Sequence, residues 1–103
     1  MREPTQYETV AASQSDQLLG ATGKQGQYLH RLIVTVATAA TGTVSIKDGS
    51  GGSAIPITAA NTPIGVYYVD IGIRATNATN PGWYVTTGAG ATAVGVGIFD
   101  SQV

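Results

Sequence analysis

Large apolar and small or polar residues alternate one by one through the last third of this chain. The pattern runs through Tyr67-Tyr68-Val69-Asp70-Ile71-Gly72-Ile73-Arg74, Trp83-Tyr84-Val85-Thr86-Thr87 and Ala93-Val94-Gly95-Val96-Gly97-Ile98. A period of two is the mark of a strand with one buried face. It predicts Tyr67, Val69, Ile71 and Ile73 in a core, with Tyr68, Asp70, Gly72 and Arg74 on the opposite face. By the same pattern Trp83, Val85, Val94, Val96 and Ile98 point inward. Ala93, Gly95 and Gly97 then face outward, small enough for another backbone to approach.

Upstream the pattern is shorter but of the same kind. Ser15 to Leu19 reads as a weak first strand, ended by the glycine-rich Gly20–Gly26 loop. Tyr28 to Ala37 follows, and its continuous Leu32-Ile33-Val34 predicts a central strand covered on both faces. Thr43 to Lys47 alternates, with Val44 and Ile46 inward. Residues 48–53 form a flexible connection, and Ala54 to Thr58 reads as an edge strand because Pro56 has no N–H to donate. Residues 1–14 are polar and lack a sustained period, with Tyr7 and Val10 as their only sizeable anchors, and read as an extended N-terminal arm. Residues 15–103 then form a single domain.

About seven strands, turns rich in Gly and Pro, and no run of apolar residues at i, i+3, i+4, i+7 predict an all-β fold with minimal helix. The expected architecture is an antiparallel β-sandwich of jelly-roll or Greek-key type, with a small closed barrel as the alternative. A chain of 103 residues can bury a core without a staple, and with no cysteine a disulfide or thiolate site is excluded.

Charge changes the picture more than length does. Asp, Glu, Lys and Arg make up 11% of the chain, against about 25% in an ordinary soluble domain. A surface so poor in charge is expected to be partly covered in use, in an oligomer or larger assembly. The five basic residues are scattered and balanced by six acids, which argues against a nucleic-acid partner. Met1 to Gln6 has no basic segment followed by an apolar one, and no stretch approaches the roughly 20 apolar residues of a membrane span. The expectation is a protein made in the cytoplasm with no membrane partner.

Little of the chain suggests catalysis. Gly20-Ala21-Thr22-Gly23-Lys24 lacks the spacing, the Ser or Thr and the helix of a phosphate-binding loop. His30 is the one histidine, and no serine stands in a Gly-x-Ser-x-Gly elbow, so it reads as a structural or interface residue. Asp48, Asp70 and Asp100 could pair as a glycosidase does, but Asp70 beside Arg74 reads more simply as a surface ion pair. No catalytic residue, metal ligand or cofactor is expected. Asn77-Ala78-Thr79 fits the glycosylation acceptor pattern but, with no secretion signal expected, reads as a chance match in a turn. Tyr68 and Tyr84 point away from the core, as aromatics that stack on sugars or anchor protein interfaces do.

The series Gly26 to Val34, Thr43 to Gly49, Ile71 to Arg74 and Gly82 to Ala89 resembles small virion structural proteins of tailed bacteriophages, several of them capsid decoration or cement proteins. The resemblance spans roughly residues 18–98 and rests on strand and turn texture. It implies a homo-oligomer, dimer or trimer, on the outer capsid surface at junctions between major capsid subunits. Tyr7 and Val10 of the arm, with Tyr68 and Tyr84, are then the expected contacts. The competing expectation is a carbohydrate- or receptor-binding module on a phage tail or fibre.

Overall fold

A computed structural model of the protein describes residues 6–20 and 26–99. Eight strands occur among them: β1 (Gln6–Val10), β2 (Gln17–Leu18), β3 (Tyr28–Val36), β4 (Val44–Asp48), β5 (Ile55–Thr58), β6 (Gly65–Arg74), β7 (Trp83–Thr87) and β8 (Ala91–Ile98). A single 3₁₀ turn at Ala39–Thr41 lies between β3 and β4. The strands form two four-stranded sheets, ordered β1-β8-β3-β6 and β2-β7-β4-β5, and every pairing is antiparallel.

That order is a hairpin rolled up. β4 pairs with β5, β3 with β6, β2 with β7 and β1 with β8, as in one long hairpin folded at the β4–β5 connection. Rolling it makes β8 meet β3 and β7 meet β4, which closes the two layers. The fold is therefore a jelly roll. Between the layers pack Val10, Leu29, Leu32, Val34, Val36, Ala91 and Ala93 from one sheet and Val44, Ile46, Trp83 and Val85 from the other, with Leu19, Ala75 and Phe99 from flanking segments.

The eighth strand is β1, taken above as part of an arm. Of that segment, residues 1–5 lie outside the described residues, whereas Gln6–Val10 form an edge strand paired with Val10↔Ala93 through Gln6↔Gly97. Its inward positions are largely polar, which removes the apolar signal. Gln6 Oε1 accepts the Phe99 N–H at 2.6 Å. The Glu8 carboxylate accepts from Gln17 Nε2 at 2.8 Å and from the Gly20 N–H at 2.9 Å, tying β1 to the other layer. Hydrogen bonds replace hydrophobic contacts on this face until Val10, which is fully buried.

β8 is also turned over relative to its expected orientation as far as Gly97, while Ile98 is buried as expected. Ala91, Ala93, Gly95 and Gly97 face the interior, and Val94 and Val96 stand half-buried on the outer face. Steric room decides this. A Cβ on Gly95 would lie 2.9 Å from Leu19 Cδ1, and one on Gly97 would press on the Tyr28 carbonyl and lie 3.0 Å from Phe99 Cε1. Two large side chains from outside the sheets fill the space that the glycines vacate. β3 is central as expected, but only one face is covered: Ile33 is half-buried and Thr35 exposed on the other.

Bulges break the alternation near one end of this sheet. His30 is the extra residue of β3 opposite β8, and Ile71-Gly72 face it on β6, where Gly72 adopts φ +65°. Beyond the bulge Ile73 is half exposed rather than in the core. Gln27, at the entry to β3, is buried and joins the layers: its Nε2 donates to the Leu19 carbonyl (3.1 Å) and its Oε1 accepts the Trp83 N–H (2.9 Å).

Two outcomes follow for equilibrium urea unfolding. Gly95→Ala loses about 1–3 kcal/mol, because the Leu19 side chain can shift, and Gly97→Ala loses more, because the obstructing atom is a backbone carbonyl. Gln27→Leu strands a buried carbonyl and a buried N–H and costs about 1–3 kcal/mol for each, whereas equal stability of the variant would show that neither bond matters.

Candidate interaction surface

The outward positions of β1, β8, β3 and β6 form rows fixed by register. Tyr7, Val96, Arg31 and Asp70 make one, and Thr9, Val94, Ile33 and Tyr68 the next. Thr92, Thr35 and Val66 make a third. The result is a face four strands wide, mostly apolar or hydroxyl-bearing. Its charges neutralise each other, because Arg31 Nε meets Asp70 Oδ1 at 2.8 Å. Both partners are substantially exposed, so this pair is worth at most about 1 kcal/mol.

Asp70 therefore pairs across to β3 rather than along its own strand to Arg74. The Gly72 bulge turns the end of β6, and the Arg74 guanidinium lies 5.7 Å from the centre of the Tyr28 ring, in cation–π range. Tyr28 Oη and His30 Nδ1 lie 3.3 Å apart, so the hydrogen bond His30 makes is to a tyrosine. Asp48 is engaged in structure: its carboxylate accepts from the Thr76 N–H (3.0 Å), Thr76 Oγ1 (2.6 Å) and the Asn77 N–H (3.2 Å), pinning the β6–β7 connection. The Asn77 side chain is held in the same turn, donating to the Asp48 carbonyl and accepting from the Thr79 N–H. Asp100 and residues 21–25 of the glycine-rich loop lie outside the described residues. Among the described residues no three His, Asp or Glu side chains gather as a metal site.

The four residues expected as contacts do not converge. Tyr7 and Tyr68 share the outer face, 76% and 68% exposed, but stand on its two edge strands, about 14 Å apart at ordinary strand spacing. Tyr84 is half-buried on the outer face of the other sheet, beside Leu18 and Lys47. Val10 lies in the core and is unavailable to a partner.

Sequence reasoning missed a more coherent feature. Of the six exposed large apolar residues among the described ones, five lie on or next to β5 and β6: Ile55, Ile64, Val66, Tyr68 and Ile73. β5 and β6 are the edge strands of their sheets on the flank that their connection spans. A signal was available, since no Asp, Glu, Lys or Arg occurs from residue 49 to residue 69. Comparison with protein-family models, with characterised proteins and with solved structures yields no match.

Surface and core roles separate in a stability series. At concentrations too low for association, Tyr7→Ser and Tyr68→Ser should leave the unfolding free energy of the single chain within about 0.5 kcal/mol of the parent. Val10→Ala should lose about 2 kcal/mol through two buried carbons and the cavity they leave. A Tyr7 or Tyr68 variant as unstable as Val10→Ala would show that the outer face is structural.

Proposed function

We propose that this chain is a non-enzymatic virion structural protein that decorates and stabilises a bacteriophage capsid, bound on its outer surface at junctions between major capsid subunits. The observation that carries this reading is the outer face of the β1-β8-β3-β6 sheet, where Tyr7, Val96, Val94, Ile33, Tyr68 and Val66 stand around one self-neutralised ion pair. Such a face gains by being covered, and only the two groups of that ion pair carry charge that covering would desolvate. The sparse charge of the whole chain and the likeness of its strand texture to phage decoration proteins support the same reading.

The mechanism is one of area and copy number. An interface of about 800 Å² per partner is of ordinary size. Repeated on every equivalent junction of a lattice, it ties neighbouring subunits together so that separating any pair means breaking several contacts at once. No chemistry is required of the residues beyond shape and apolar surface.

The test is the stoichiometry of this chain in purified virus particles from its source, by gel densitometry against the major capsid protein. Hundreds of copies in simple ratio to that protein are expected. A handful would overturn the shell reading in favour of a carbohydrate- or receptor-binding module on a tail or fibre, and none would remove the chain from the particle.

A further inference from the structure

The four edge strands of this jelly roll are not alike. β1 has five residues, β2 two, and β5 four with Pro56 among them. Short length and proline are the ordinary means of keeping an edge from recruiting another strand. β6 has neither: it runs ten residues from Gly65 to Arg74, contains no Pro or Lys, and pairs on one side only, with β3. Its other side presents backbone N–H and C=O groups, flanked by exposed Ile64, Val66 and Tyr68. A stretch with these properties is a template for one more antiparallel strand.

We propose that this edge is occupied by β6 of a second copy of the chain, giving a two-fold dimer with a continuous eight-stranded sheet. Self-pairing suits the strand for three reasons. An antiparallel strand that meets itself about a two-fold axis forms an isologous, closed interface and does not propagate into fibres. The regular part of β6 extends from Gly65 to the Gly72 bulge, and its midpoint is Tyr68, so pairing over its full length sets Tyr68 against Tyr68 of the second copy. In that register Asp70 falls opposite Val66, whereas an axis through Asp70 would oppose two carboxylates. Arg31 already draws the Asp70 carboxylate back over its own sheet.

The flank also supplies area that a bare edge lacks. A stable dimer buries about 1,200 Å² or more in total. Each Tyr68 can contribute on the order of 150 Å², and Ile64, Val66 and Ile55 of both copies flank the same junction, where the one carboxylate, Asp70, is paired with Arg31 of its own chain. Because the axis stands normal to the sheet, the outer faces of both copies point the same way. A dimer thus presents two Tyr7–Tyr68 faces side by side, and the doubling of lattice contacts this gives rests on the capsid reading; the dimer itself does not.

The absence of native cysteine makes the test clean. Sedimentation of the 103-residue chain at micromolar concentration should give twice its 10.5 kDa mass. Under mild oxidation Tyr68→Cys should form a disulfide with itself at least tenfold faster than Tyr7→Cys or Thr92→Cys, which lie on the same face away from the β6 edge. Tyr68→Lys, at an exposed position on the axis where it sets two ammonium groups against each other, should yield a folded monomer by sedimentation and circular dichroism. A monomeric parent protein, a trimer, or cross-linking through Tyr7→Cys or Thr92→Cys as fast as through Tyr68→Cys would overturn the proposal. These outcomes are read on the isolated protein and leave the particle stoichiometry an independent question.

Discussion

Strand β8 can sit at the centre of its sheet only because its inner face is nearly empty. Gly95 and Gly97 leave the volume into which Leu19 and Phe99 descend, and those two side chains close the sandwich at the end where β1, β2 and β8 come together. A larger residue at either glycine would overpack the core, less at Gly95, where the Leu19 side chain can give way, than at Gly97, where the Tyr28 carbonyl cannot. The pairing of first and last strands, the burial of Val10 and the bond from Phe99 to Gln6 all depend on that close approach.

The remaining polar contacts work around this packing rather than beneath it. Gln27 joins the two layers at the entry to β3, and Glu8 joins them from the edge strand β1. Asp16 accepts from Thr86 and pairs with Lys47, holding β2 beside β7 and β4. Most of the few charged side chains in the described residues are thus occupied in fastening edges and connections. What is left for the solvent is a surface of hydroxyls, small residues and apolar groups, the last gathered mainly on the β5–β6 flank, which is the surface a covered protein can tolerate.

Seven strands and the sandwich class were legible in the sequence because alternation survives wherever a strand has one apolar and one polar face, as β4 and β7 do. β1 was not, since Gln6 and Glu8 turn inward to make hydrogen bonds while Tyr7 turns out, the reverse of a hydrophobic pattern. The orientation of β8 was misjudged for a related reason: valine outranks glycine on any scale of hydrophobicity, but the interior here needed space more than it needed side chains. Tyr68 was recognised as exposed from its neighbours alone. Its grouping with Ile64 and Val66 on a sheet edge depends on strand order, which period-two patterns do not carry.

The rolled hairpin also bears on how the protein is made. Strands β1 and β3 share β8 as their common neighbour, yet β8 is the last of the eight to leave the ribosome. Until it emerges, β1 has no partner in the sheet, β3 has an open side, and the apolar inner surfaces of both layers lack their closing strand. Synthesis therefore passes through a stage in which the β2-β7-β4-β5 sheet and the β3–β6 pair can form while the sheet that holds β1 is still incomplete. The β3–β8 and β1–β8 pairings then form late, the latter between strands at opposite ends of the described chain, the kind of long-range contact that slows folding.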